Sequence, residues 1–195
     1  MSRYGARTRL LGAGSQARVG QWFQRSLIKS IQRGTISIAN GATSNTATVT
    51  AVVLANSRLV NLGNDAGSDT TADTVCVRIA LTNSTTITAT VNTVSAAVAR
   101  VVSYELIEYW PGVMKSVQRG TLTTAAAASG TAAITSVTTT KATLDFLGMT
   151  TTYAVTDGVL TQVQFRIELT NATTITGNGT TAITRTAGYQ VIEWY

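Results

Sequence analysis

The chain contains no histidine. That removes the commonest general base and the commonest transition-metal ligand. It has one cysteine, Cys76, which excludes an intrachain disulfide. With no histidine to activate it, the thiol reads as a structural side chain. Charged residues make up only 12% of the 195, against roughly 25% in typical soluble domains. Such a surface has few ionic groups and is a candidate for coverage by other subunits. No apolar run is long enough to span a membrane or to form the core of a secretory signal. Thr, Ala, Val and Ser fill the gap, and β-branched Thr and Val suit pleated strands.

The charge that is present is unevenly placed. Up to Lys29 the chain carries Arg3, Arg7, Arg9, Arg18, Arg25 and Lys29 and no acid. The remaining basic and acidic residues balance, so the whole net charge of +6 belongs to this segment. The high pI therefore describes a basic arm on a neutral body. Glycines punctuate the arm, and Trp22 and Phe23 stand near its end. Phe23 and Leu27 lie four apart, compatible with a turn or two of amphipathic helix. The arm has three candidate roles, docking on an acidic protein surface, contacting phosphates and targeting, with a merely solvated tail as the alternative to all three. Trp22 and Phe23 favour docking, because aromatic anchors fill pockets. Nucleic acid is the weaker partner.

The body is one pattern used twice. Arg78-Ile-Ala-Leu-Thr-Asn-Ser-Thr-Thr-Ile-Thr88 returns as Arg166-Ile-Glu-Leu-Thr-Asn-Ala-Thr-Thr-Ile-Thr176. Lys29-Ser-Ile-Gln-Arg-Gly-Thr35 returns as Lys115-Ser-Val-Gln-Arg-Gly-Thr121. Leu59–Gly63 matches Leu144–Gly148, and Ser103–Trp110 matches Gly188–Tyr195. Alternating apolar and polar residues around short turns predict β-hairpins. In the first copy the expected strands include Thr46–Val53, Arg58–Leu62, Thr74–Leu81, Thr85–Val91 and Arg100–Tyr109. The fold class is all-β: two tandem six-stranded antiparallel β-sandwich domains from an internal duplication, preceded by an extended basic arm. The domain boundaries are 1–28 for the arm, 29–110 for the first repeat, 111–114 for a Pro-Gly hinge and 115–195 for the second repeat. Pro111 is the only proline, and beside Gly112 it marks a junction.

No arrangement of residues points to catalysis. Glu105 and Glu108 lie three apart on one strand and face opposite sides, so they cannot act as a pair. Asp65, Asp69 and Asp73 crowd one loop but lack the closing Glu of a calcium loop. Arg33 and Arg119, Arg78 and Arg166, and Arg100 and Arg185 occupy matching places, and cross-strand pairing with Glu105, Glu108, Glu168 or Glu193 is the expected use. Tyr104, Tyr109 and Trp110, echoed by Tyr189, Trp194 and Tyr195, form the richest aromatic group. They suit a core, a subunit interface or contact with a glycan. No catalytic, cofactor or metal residue is assigned. The attachment residues are Arg3, Arg7, Arg9, Arg18, Trp22, Phe23 and Arg25.

At Lys29-Ser-Ile-Gln-Arg-Gly-Thr, Leu81-Thr-Asn-Ser-Thr-Thr-Ile-Thr and Val102-Ser-Tyr-Glu-Leu-Ile-Glu-Tyr the chain resembles small β modules of tailed-bacteriophage virion proteins of the fibre and decoration type. The closing strand also resembles the H-type lectin sandwich. The resemblance covers Lys29 to Tyr195 and leaves out the arm. It implies a non-enzymatic homotrimer on the virion surface, in head or tail, attached through its arm to other virion proteins. A host-surface carbohydrate-binding adhesin is the alternative it implies. No sugar-binding residue carries over.

Overall fold

The computed structural model describes residues 26–65, 71–94, 99–154 and 163–195. The arm residues up to Arg25 lie outside the described residues, as do Asp69, Asp157 and Gln162. The described chain is all-β, built from antiparallel sheets. The first half contains β1 (Ile28–Ile38), β2 (Ser44–Thr48), β3 (Ser57–Asp65), α1 (Ala72–Val75), β4 (Arg78–Asn83), β5 (Thr86–Thr90) and β6 (Arg100–Tyr109). The second contains β7 (Met114–Thr123), β8 (Ala127–Ala133), β9 (Ala142–Thr151), β10 (Phe165–Asn171), β11 (Thr174–Ile183) and β12 (Arg185–Trp194). Short 3-10 turns at Leu54–Asn56 and Thr139–Lys141 precede β3 and β9.

The pairing order is the same in both halves. Strand β6 runs between β1 and β3, and β12 between β7 and β9. Strand β5 lies between β2 and β4, and β11 between β8 and β10. Side chains alternate along each strand, so every second residue enters the space between two layers. Ile36, Ile38, Leu59, Ile79, Ile87, Val102 and Leu106 fill one core. Leu122, Ile175, Tyr189 and Val191 fill the other, with Leu144, Ile167 and Leu169 against them. Each fully buried Ile or Leu contributes about 1.5–3 kcal/mol.

The repeated motifs have specific structural uses. In the hairpins, Asn83 Oδ1 accepts the Thr85 N–H and Asn171 Oδ1 accepts the Thr173 N–H, both at 2.9 Å. These are side-chain-closed turns of the type Asn favours. Facing hydroxyls of Thr82 and Thr88, and of Thr170 and Thr176, pair across the same hairpins. In the opening motif each polar residue has a separate partner. Lys29 donates to Glu108 at 3.0 Å, and Lys115 to Glu193 at 2.9 Å. Gln32 grips both backbone groups of Thr50, and Gln118 both of Thr135. Gly34 and Gly120 lie beneath the hydroxyls of Tyr104 and Tyr189, where a Cβ would come within 2.7 and 2.6 Å of the oxygen. The glycines are there because the tyrosine rings need the space.

Two expectations change in detail. The strand expected at Thr74–Leu81 begins only at Arg78, because Ala72–Val75 turns into α1. The buried Arg100 Nε donates to the Thr74 carbonyl at 2.8 Å, which holds that turn in place. The strand expected at Thr46–Val53 ends at Thr48. Beyond it, Val49 and Val52 follow the β4–β5 turn, donating to the Thr85 and Ser84 carbonyls, and their side chains stay buried.

The backbone joins the halves at several points, one of them the Asp73 N–H donating to the Tyr153 carbonyl at 3.1 Å. Residues 111–113 form a turn, and β7 begins at Met114, within the expected 111–114 hinge. In addition β4 meets β9 at a single rung, Arg78 opposite Gly148. One six-stranded sheet, β2-β5-β4-β9-β12-β7, therefore crosses from one half to the other.

Candidate functional site

The six aromatics expected to act as a group separate into three environments. Tyr104 and Tyr189 are core residues. Tyr109 and Trp194 meet edge to face across the halves, with ring centroids 5.5 Å apart. Trp110 and Tyr195, at matching ends of β6 and β12, stay exposed. The candidate attachment residues Arg3, Arg7, Arg9, Arg18, Trp22, Phe23 and Arg25 lie outside the described residues.

The described carboxylates near basic side chains are engaged in structure. Burial opposes ionisation of Glu108. The Val53 N–H, Lys29 and Ser30 outweigh it and hold the carboxyl below its ordinary value. Its counterpart Glu193 is pulled down to about 2 by Lys115 and then by the Thr138 N–H. Both pins fasten the loop that leads into β3 or β9. Glu105 pairs with Arg33 at 2.6 Å and Glu168 with Arg166. Arg100 donates to the Thr74 and Thr93 carbonyls, and Arg185 to the carbonyl and the hydroxyl of Thr181. The Cys76 thiol is raised to about 11 by burial and by the nearby Asp73. A thiol so rarely ionised is a poor nucleophile. Asp65 and Asp73 stand on β3 and α1, and among the described residues no group of three or more His, Cys, Asp or Glu gathers into a metal site.

The most elaborate polar arrangement lies between the halves. The outer face of the β7-β12-β9 strands rests on the edge formed by β3, β4 and the Leu54–Asn56 turn. Arg58 forks onto Asp145, with Nε and Nη2 donating at 2.9 and 2.6 Å. Such two-pronged pairs fix orientation as well as adding attraction. Arg119 donates to Gln190 at 2.7 Å and to the Leu54 and Ser57 carbonyls at 3.1 and 2.5 Å. Burial lowers its pKa to about 10. The fully buried Gln190 completes the set, accepting from the Leu59 N–H and donating to Asp145. Leu147 crosses the seam and packs into the core of the first half. Gly148 follows at φ 83°, with its Cα against the Val77 carbonyl, the Asn61 amide and Arg78. A Cβ there would come within 2.1 Å of the Val77 oxygen, so only glycine fits.

Beside the seam lies an open groove of about 1020 Å³. Phe146, Phe165 and Arg166 line it from the second half, and Asn61, Asn64 and Cys76 from the first. Reading the chain alone does not find this groove or the seam. Of the residues that build the seam, Asp145, Leu147 and Gln190 lie in repeated stretches, but the repetition does not mark them as contacts between the halves. The one available signal is that Gln190 and Asp145 stand where the first copy has Glu105 and Val60. No protein-family model, curated protein or solved structure matches this chain.

Proposed function

We propose that the protein is a non-enzymatic structural component of a tailed-bacteriophage virion. In this reading it is a homotrimeric capsid decoration, head-fibre or tail-fibre protein, built from two duplicated β-sandwich modules and attached through its basic arm. The observation that carries the proposal is the seam. Arg58–Asp145, Arg119 and Gln190 lock the halves by directed hydrogen bonds, which makes them one stiff body. A building block needs stiffness between its parts, whereas a hinged enzyme or a flexible linker needs the opposite. The commitment of buried carboxylates to loop-fastening pins supports the same reading.

Removing residues 1–25 tests it. Every described strand begins after that point, so the shortened chain is expected to fold with an unchanged β spectrum and to lose co-sedimentation with particles. A shortened chain that joins particles as well as the full one overturns attachment through the arm. The exposed Trp110 and Tyr195 favour a second reading, adhesion to a host-surface glycan, since flat aromatic faces stack on sugar rings. A glycan array on which Trp110→Ala and the parent chain give the same signals removes it.

A further inference from the structure

The seam inside the chain is head-to-tail: one half offers a sheet face and the other a sheet edge. A contact of this kind leaves one unused face and one unused edge on every chain. The unused face is the outer side of β1, β6 and β3. Leu62 is the counterpart of Leu147, yet it is 56% exposed where Leu147 is 2% exposed. Gly63 repeats the positive φ of Gly148, at 105° against 83°. Ile31 and Val101 of the same face are also exposed. Arg33, the counterpart of Arg119, keeps its cross-strand bond to Glu105 and leaves the rest of its guanidinium in solvent.

The unused edge belongs to the second half, and the groove lies between it and the Asn61, Gly63 and Asn64 end of β3. In the seam, Gly148 rests on Val77, Asn61 and Arg78. The counterparts of those three are Phe165, Phe146 and Arg166. All three line the groove, and Phe146 is exposed. We propose that a second copy of this chain docks there, its β3 placing Leu62 and Gly63 in the groove as β9 places Leu147 and Gly148 on the first half.

The substitutions between the copies fit this. Gln190 needs an acceptor for its amide and faces Asp145 in the strand register. Glu105 has no such donor and faces Val60. A carboxylate at position 60 would have set two negative charges side by side. The contacts of Arg119 on the opposite edge are to the carbonyls of Leu54 and Ser57. The matching carbonyls of Thr139 and Ala142 are backbone, so Arg33 can use them whatever the side chains are. Only the Arg58–Asp145 fork has no counterpart, because positions 143 and 60 are Thr and Val. The contact between copies is accordingly weaker than the one within the chain. Repeated around a closed assembly it alternates with the internal seam. The inference rests only on the assembly part of the proposed function and adds which surfaces meet.

The test uses two full-length variants, Leu62→Arg on the face and Phe146→Arg on the edge. Both sites are exposed, so each variant is expected to melt like the parent. Sedimentation velocity is expected to show an associating parent and two variants whose self-association is weaker by roughly ten- to a hundredfold, from the loss of one buried apolar side chain. Mixing the two variants leaves one intact face and one intact edge, so a one-to-one pair is expected. A mixture that stays monomeric, or variants that assemble like the parent, overturns the head-to-tail contact. Enhanced association of the chain lacking residues 1–25 would instead give the face to the arm. Particle binding is scored separately. Monomers that bind particles leave the virion reading in place and remove this inference, and head-to-tail assembly without particle binding does the reverse.

Discussion

Leu147 and Leu62 occupy the same place in the two copies, so truncating each to alanine gives a paired comparison. Leu147 is 2% exposed and packs with the first-half core from across the seam. Its removal deletes buried methyl groups and leaves a hole in the core that it shares with the first half. For a buried leucine the expected loss is about 3 kcal/mol, within a usual range of roughly 2–5. For a chain of this size each kcal/mol moves the melting temperature by roughly 2–4 °C, so the expected drop is about 6–12 °C. Leu62 is 56% exposed, and Leu62→Ala is expected to stay within about 0.5 kcal/mol of the parent in dilute solution. Thermal melts followed by tryptophan fluorescence read both, because Trp194 lies at the seam. A Leu147→Ala loss under about 1 kcal/mol, or equal losses at both positions, would refute the packing that makes the seam a template.

Three further outcomes follow from the geometry. Gly120→Ala places a Cβ 2.6 Å from the Tyr189 hydroxyl oxygen, and it is expected to cost about 1–3 kcal/mol in urea unfolding, with partial recovery in the Gly120→Ala, Tyr189→Phe double variant. The Glu193 carboxyl is held at about 2 against an ordinary 4.5; its stabilisation is therefore complete above 4.5 and lost as the pH falls from 4.5 to 2, so Glu193→Gln should flatten the stability profile over that window. Raising the Cys76 thiol from 9.0 to about 11 cuts its thiolate by roughly a hundredfold near pH 8, and iodoacetamide is expected to label it at least that much more slowly than free cysteine; labelling at the free-thiol rate would show that its surroundings do not hold the thiol protonated.

The strands, the hairpins and the doubled motif could be read from the chain because each rests on local chemistry. Asn83 and Asn171 close turns with their own neighbours, and Gln32 and Gln118 answer to backbone groups fixed by the strand pattern. A cross-strand acid is the expected partner of Arg33, and the ladder sets Glu105 opposite it. The seam could not be read in this way. Strand periodicity tells which side chains share a face, and it gives Leu62 and Leu147 the same side. Whether that face meets water or another sheet depends on how two layers approach each other, which no local pattern encodes. Arg100 and Arg185 were hidden for a related reason. Bonds from a guanidinium to backbone carbonyls, such as that of Arg100 to α1, involve no matching side chain that the sequence could reveal.

The single rung between β4 and β9 has a mechanical consequence. Load crossing from β1 to β6 is shared by a ladder running from Ile28 to Ile38, whereas among the described residues load crossing between the halves passes through one rung, the Asp73–Tyr153 backbone bond and a few side chains. Pulling on the two ends of the molecule should therefore part the seam before either core unfolds. Because residues 111–113 link the halves by one tight turn, the extension released would be small and the seam could close again when the tension falls. A molecule made this way yields at a chosen place and recovers, as a sacrificial joint does in a frame that must survive shocks.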